Sequence, residues 1–210
     1  MVEPTFNQMQ VQSNIGLNFA DGIRTLMRQD PDIIMVGEIR DLETADMAIQ
    51  AALTGHLVLS TLHTNDSCAA ITRLLDLGVP HYLIQSTVVG VMAQRLVRKL
   101  CPACKTAESV SDEYWHEISA HTHIKKPKHL YKAVGCLECR NTGFRGRVGI
   151  YEMLTLTSPV KKLITPTTDL EALTHIARKN GLKPLYINGV EKIAQGQTTI
   201  EELLKVTSPL

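Results

Sequence analysis

Two short apolar runs bounded by turn residues set the pattern from which the chain is read. The first, Ile33-Ile34-Met35-Val36, follows Asp30-Pro31-Asp32 and ends at Gly37-Glu38, which predicts a buried strand with a carboxylate at its C-terminal tip. The second, His56 through Leu62, ends in the polar cluster His63-Thr64-Asn65-Asp66. Between them Asp41 is placed to cap a helix through Thr44, Met47, Ala48 and Ala51-Ala52, with Glu43 in its positive first turn and Gly55 as a left-handed stop. Two parallel neighbours joined by a helix bring both tips to one sheet edge, where open α/β sheets bind ligands.

The flanking segments extend the same alternation. The opening, 1–16, is polar with Met9 and Val11 alternating, which predicts either a short strand or an irregular lead-in. Asn18 is placed to cap a helix carrying Phe19, Ile23, Leu26 and Met27, with Arg24 and Arg28 on other faces, until Pro31 forces an exit. Asn65 or Asp66 caps a helix with Ile71, Leu74 and Leu75 that ends at Gly78. Pro80 opens a helical region with Leu83, Ile84, Val88 and Val91, read as continuing toward Leu100. Further on, 148–154 is strand-like. The rest reads as helices at 159–164, 169–180 and up to Gln195, with a capping box, Thr199-Ile200-Glu201-Glu202, starting a last one. Strands alternating with helices predict an α/β protein with a mostly parallel sheet.

Composition narrows the partners. A length of 210 residues and a hydrophobic share of 44% suit one sizeable soluble domain, or one domain with a small satellite. The net charge of +1 argues against broad attraction to nucleic acid or anionic membrane. No apolar stretch of spanning length appears, and Met1-Val2-Glu3-Pro4 begins no signal peptide, so the chain is read as intracellular.

Four of the five cysteines form two C-x-x-C pairs, Cys101/Cys104 and Cys136/Cys139. Two such knuckles supply four thiolates for tetrahedral Zn²⁺, in a closed site that serves folding. Cys68 stands alone on a helical stretch and reads as a small core residue. His116 and His121 are five apart, so they do not share a helix face as a zinc-protease pair would. His123 and His129 read as loop histidines.

At these segments the sequence resembles the ATPases of type II secretion and type IV pilus assembly. RQDPDIIMVGEIRD is similar to their Walker B segment and TGHLVLSTLHTND to their histidine box. GCLECRNTGFRGRVGIYEML is similar to the stretch where their metal-binding lobe rejoins the main domain. The resemblance begins near Val2-Glu3, similar to the end of the family's aspartate box, and runs almost to Leu210. It implies an incomplete RecA-like core over 1–100 with Walker B and histidine box, a tetracysteine lobe over 101–147 and a helical C-terminal subdomain over 148–210.

The resemblance also implies a mechanism. ATP with Mg²⁺ sits at the strand tips and Glu38 holds the metal-bound water or polarises the attacking water. Thr61 and His63 contact the terminal phosphate region. Such motors resemble hexameric rings in which neighbours lend arginines, making Arg24, Arg28 and Arg40 candidates. For Arg40 the plain alternative is a salt bridge to Asp41 or Glu43, and for His63 a helix-capping loop residue. The implied setting is the cytoplasmic face of the inner membrane, with platform and cytoplasmic-domain subunits of a secretion or pilus machine as partners.

No G-x-x-x-x-G-K-[ST] occurs in the chain, so the phosphate loop that ATP hydrolysis needs is missing and the chain alone is expected to be a poor ATPase. Two other classes stay open. One is a zinc-stabilised assembly or regulatory module without catalysis. The other is a zinc-ribbon nucleic-acid binder using Arg140, Arg145 and Arg147, which the aromatic content of 4% disfavours.

Overall fold

The structure, a computed structural model, describes residues 3–120, 122 and 124–209. Val2, His121 and His123 of the readings above lie outside them. The chain divides into two compact units, Met1–Val89 with Leu156–Thr174 and Gly90–Thr155 with His175–Leu210.

In the first unit the opening is largely irregular, with one antiparallel bridge between Gln12 and Leu17 around a 3-10 turn. Helix α1 (Phe19–Leu26) starts where Asn18 Oδ1 accepts from the Asp21 N–H at 2.8 Å. A 3-10 turn at Met27–Gln29 and a left-handed Asp30 end it before Pro31. Strand β1 (Ile33–Met35) leads to α2 (Leu42–Leu53), capped by Asp41 through the Thr44 N–H at 2.8 Å. Strand β2 (Leu57–Leu59) then pairs parallel to β1, with Ile33 opposite Leu57 and Met35 opposite Leu59.

The core of this unit joins Ile23 of α1, Ile34 of β1 and Val36 just beyond it, and Ala48 and Ala51 of α2. Both helices therefore cover one sheet face. The expectation of a wholly buried strand is corrected here: Ile34 is buried, but Ile33 and Met35 are exposed, because no described residue covers the opposite face.

Helix α3 (Ser67–Asp76) is capped by Asp66, whose Oδ1 accepts from the Ala69 N–H at 2.7 Å. Cys68 is buried within it, as a core residue should be. Helix α4 (His81–Thr87) follows Pro80 and stops much earlier than expected. The chain turns extended at Val88, and Gly90–Leu100 is a strand, β3, rather than more helix. Adjacent β-branched Val88 and Val89 followed by a glycine are poor helix formers. Alternation places Ala93 and Val97 against a core while Met92, Gln94 and Leu96 face out.

Strand β4 (Thr106–Glu108), helix α5 (Asp112–Ile118) and strand β5 (Leu130–Lys132) follow, the two strands pairing antiparallel. Strand β6 (Phe144–Thr155) returns antiparallel along β3 in a long two-stranded ribbon. Parallel pairing is therefore found at the strands that carry the tips. Helices α6 (Ser158–Lys161) and α7 (Leu170–Lys179) come next. Helix α8 (Leu185–Ala194) and helix α9 (Ile200–Leu204) belong to the second unit. That unit's core gathers Val97 and Ile150 of the ribbon, Trp115 and Ile118 of α5, Tyr186 and Val190 of α8, and Leu203 of α9.

The capping box expected at the last helix does not form. Thr199 makes no side-chain cap bond, and the Glu202 carboxylate is taken instead by Arg98 and Lys205.

Candidate functional site: two strand tips and a tetracysteine knuckle pair

Pairing between the two parallel strands continues beyond their regular spans. The Val36 N–H donates to Leu59 O at 2.8 Å and the Ile39 N–H to Thr61 O at 3.0 Å, so the chain from Gly37 to Ile39 runs beside Thr61. The Thr61 hydroxyl donates to Gly37 O at 2.7 Å, tying the residue before Glu38 to the strand that leads to His63. A Cβ on Gly37 would stand 3.3 Å from the Phe19 ring, so α1 presses close against this tip.

Three side chains meet at the tips. Arg40 Nε lies 2.6 Å and His63 Nε2 3.3 Å from the same oxygen, Glu38 Oε2. The Glu38 side chain is mostly covered, whereas those of Arg40 and His63 are largely exposed. A carboxylate held by a guanidinium and an imidazole, at the C-terminal edge of parallel strands, can bind a metal-borne water or orient a nucleophile once a ligand displaces one partner. Arg40 thus pairs with Glu38 rather than with Asp41 or Glu43. Arg28 is exposed on the 3-10 turn and, among the described residues, makes no ion pair with the tips. Arg24 pairs with Asp21 on its own helix.

The four knuckle cysteines converge in the second unit, their sulfurs all within 4.8 Å of one another. The Cys101–Cys136, Cys104–Cys139 and Cys136–Cys139 sulfur separations are 3.9, 3.8 and 3.7 Å. A tetrahedron with metal–sulfur bonds of about 2.3 Å has edges of about 3.8 Å. The cluster therefore has the size of a tetrahedral thiolate metal site and could hold one ion.

Backbone N–H groups point at the sulfurs. Gly135 donates to Cys104 at 3.3 Å, and Cys136 and Gly143 each donate to Cys139 at 3.2 Å. Burial pushes the Cys104 thiol up to about 11. Burial acts upward on Cys139 too, but its two N–H donors hold it down to about 6, within reach of the thiolate at neutral pH.

These glycine donors and the Thr61–Gly37 clasp are what sequence reasoning missed. The signal was present in part, as a glycine directly before Cys136 and another four residues after Cys139.

The profile of the family described as type II/IV secretion system protein matches residues 2–205. A type IV pilus assembly ATPase, TfpB of Acinetobacter baylyi, is 54% identical over 206 residues, covering 98% of this chain and 35% of the relative. The type II secretion system protein E of Pseudomonas aeruginosa is 46% identical over 200 residues, covering 95% of this chain and 39% of the relative. The chain thus spans little more than a third of the length of these relatives. Among solved structures, the pilus retraction motor PilT with bound ADP superposes with a TM-score of 0.61 at 26% identity, over 90% of this chain and 43% of that one. The ATPase DotB of Legionella pneumophila shares the fold with a TM-score of 0.62 at 24% identity, over 94% and 44%.

Proposed function

Because the chain belongs to the type II/IV secretion system protein family, we propose that it forms the Glu38-bearing part of an ATP-hydrolysing motor for type II secretion or type IV pilus assembly. The observation that carries this is the convergence of Arg40 and His63 on one oxygen of Glu38 at the tips of two parallel strands. Glu38 is the group to hold the metal-borne water or polarise the attacking water, and His63 the group to meet the terminal phosphate region. Thr61 was expected at that phosphate too; its bond to Gly37 O gives it the added role of fixing the tip. Bound ATP with Mg²⁺ would supply the phosphoryl group and neutralise its charge.

In a ring of such motors, six in the full assembly, arginines cross between neighbours. Arg40 is paired with Glu38 of its own chain and Arg24 with Asp21, so exposed Arg28 is the arginine to reach a neighbouring site. The tetracysteine lobe takes one Zn²⁺, in keeping with sulfur separations that match a tetrahedral thiolate site. No described helix is long and apolar enough to cross a membrane. The motor acts at the cytoplasmic face of the inner membrane, docked on platform and cytoplasmic-domain subunits of the machine.

Calorimetry tests the reading. The chain alone binds ATP weakly or not at all, because its sequence has no phosphate loop. Joined to the remainder of the Acinetobacter baylyi relative, it hydrolyses ATP with Mg²⁺, and Glu38→Gln lowers that rate by about a hundredfold or more. Submicromolar ATP binding by the chain alone, or full activity of Glu38→Gln, would contradict it. Inactivity of the joined protein would instead support a second reading, a zinc-stabilised assembly or regulatory module.

A further inference from the structure

The turn that joins α8 to α9 is tied to the residues on both sides of the first cysteine knuckle. The Leu100 N–H, directly before Cys101, donates to Gln197 O at 2.8 Å, and the Thr198 hydroxyl donates to Arg98 O at 2.9 Å. Beyond the knuckle, the ammonium of Lys105, directly after Cys104, donates to Gly196 O at 2.8 Å. The backbone of Lys105 belongs to the knuckle itself, its N–H donating to Cys101 O at 3.0 Å. A knuckle that opens therefore carries the stem of Lys105 with it.

The end of α8 is shaped to receive that ammonium. The helix stops at a left-handed Gly196 (φ +66°), whose N–H donates to Ile193 O at 2.8 Å while the Gln197 N–H donates to Lys192 O at 2.9 Å. This end carries the negative pole of the helix dipole, and Lys105 brings a cation to it. The same ammonium lies 4.3 Å over the Tyr131 ring of β5. A Cβ on Gly196 would stand 2.6 Å from that ring, so a side chain at this position pushes away the surface on which Lys105 rests.

From this arrangement we infer that Lys105 is a positioning residue through which metal binding at the four cysteines holds the α8–α9 turn in place. The inference rests on the proposed Zn²⁺ site and goes beyond the folding of the lobe itself. With the metal bound, Cys101 and Cys104 are fixed to the second knuckle and the Lys105 ammonium is held at Gly196 O. With it removed, the first knuckle relaxes and the end of α8 loses its cation. Val190 and Ile193 of α8 and Leu203 of α9 share one core with the ribbon, so loosening of the turn reaches the seating of both helices. The coupling is reciprocal: losing the Lys105 contact weakens the hold on the metal.

Hydrogen exchange on the whole chain, with and without a chelator, tests this, with the Zn²⁺ content of each sample measured by elemental analysis. In the loaded chain the Gly196 and Gln197 amides exchange slowly. Chelation speeds them at least about tenfold, and more than it speeds the Trp115 and Ser119 amides of α5. Lys105→Met keeps the apolar stem and removes the ammonium. Its Gly196 and Gln197 amides exchange fast even when loaded, chelation adds less than about threefold, and Zn²⁺ affinity falls about threefold or more, whereas Lys105→Arg restores most of the response to chelation. Circular dichroism checks that both variants fold, and the parent's own response to chelation needs neither of them. Equal acceleration by Lys105→Met with and without metal marks a plain helix cap and overturns the inference. So does a loaded parent whose Gly196 and Gln197 amides ignore chelation or merely follow those of α5. A chain that takes up no metal removes the zinc reading together with the inference, whereas metal uptake without an effect on the turn overturns the inference alone.

Discussion

Arg98 and Glu202, separated by 104 residues, meet in a two-pronged ion pair: Arg98 Nε donates to Oε2 at 2.8 Å and the terminal guanidinium nitrogen to Oε1 at 2.6 Å. The Glu202 side chain is only 6% exposed, and the Arg98 guanidinium also stacks on Phe144 at 4.1 Å. The pair fastens the last helix to the long ribbon. Its bonds to Arg98, then Lys205, hold the Glu202 carboxyl down to about 2 against an ordinary 4.5. A depressed carboxylate contributes stability that is present above about pH 4.5 and is lost as pH falls toward 2. Glu202→Gln is therefore expected to lower stability by about 2–3 kcal/mol at neutral pH and by much less near pH 2. Denaturant titrations of both chains across that range check it, the difference between them being the quantity read.

Thr61→Val keeps the shape of the side chain and removes the hydroxyl bonded to Gly37 O. The cost to global stability is about 1 kcal/mol or less, since the bond lies at an exposed edge. Its local effect is larger. The Ile39 amide, which donates to Thr61 O, exchanges faster in the variant, and Thr61→Ser restores protection. Unchanged exchange would show that the backbone ladder alone sets the tip.

Metal loading has a built-in reporter, because Trp115 is the single tryptophan. It is 5% exposed in the core shared by the ribbon and helix α8, and its indole N–H donates to Ile124 O at 3.3 Å. Elemental analysis should give one Zn²⁺ per chain. Chelation should shift Trp115 emission to the red and lower the melting temperature, and acidification should do the same as protons displace the ion from the sulfurs. A chain with no bound metal, in which Cys101, Cys104, Cys136 and Cys139 all titrate freely in the native state, would remove the zinc assignment.

What the sequence disclosed was mostly local. Asn18, Asp41 and Asp66 act as caps within three residues of their targets, and the C-x-x-C spacing fixes each half of the metal cluster. What it concealed was set by distant partners. The strand at Gly90–Leu100 is specified by its partner some fifty residues onward, from Gly90 opposite Thr155 to Leu100 opposite Phe144. Arg95, Arg98 and Lys99 blurred its alternation. Glu202 sits where a capping box wants it, but a guanidinium on another element outbids the backbone N–H. Ile33 and Met35 read as core because apolar strands in parallel sheets are buried, a rule that presumes both sheet faces covered, whereas among the described residues one face of this pair is left exposed.

Gly143 and Gly146 offer a controlled comparison within the lobe, for both hold φ +75° on either side of Phe144 and Arg145. An alanine at either carries the same left-handed backbone strain, about 1 kcal/mol. Only at Gly143 does the added carbon collide, at 2.6 Å from the Ala133 Cβ and 3.1 Å from its Cα, whereas nothing lies within 4 Å at Gly146. Gly143 also donates its N–H to the Cys139 sulfur, so displacing its backbone disturbs the donor that helps keep that sulfur ionised. Gly143→Ala should cost at least about 1–2 kcal/mol more than Gly146→Ala and weaken Zn²⁺ binding by about tenfold or more, with Gly146→Ala close to the parent in affinity. Competition titrations against a colorimetric chelator measure the affinities, and Trp115 emission reports the lobe's stability in the same samples. Equal losses for the two substitutions would mean that backbone strain, not the close approach to Ala133, governs the knuckle.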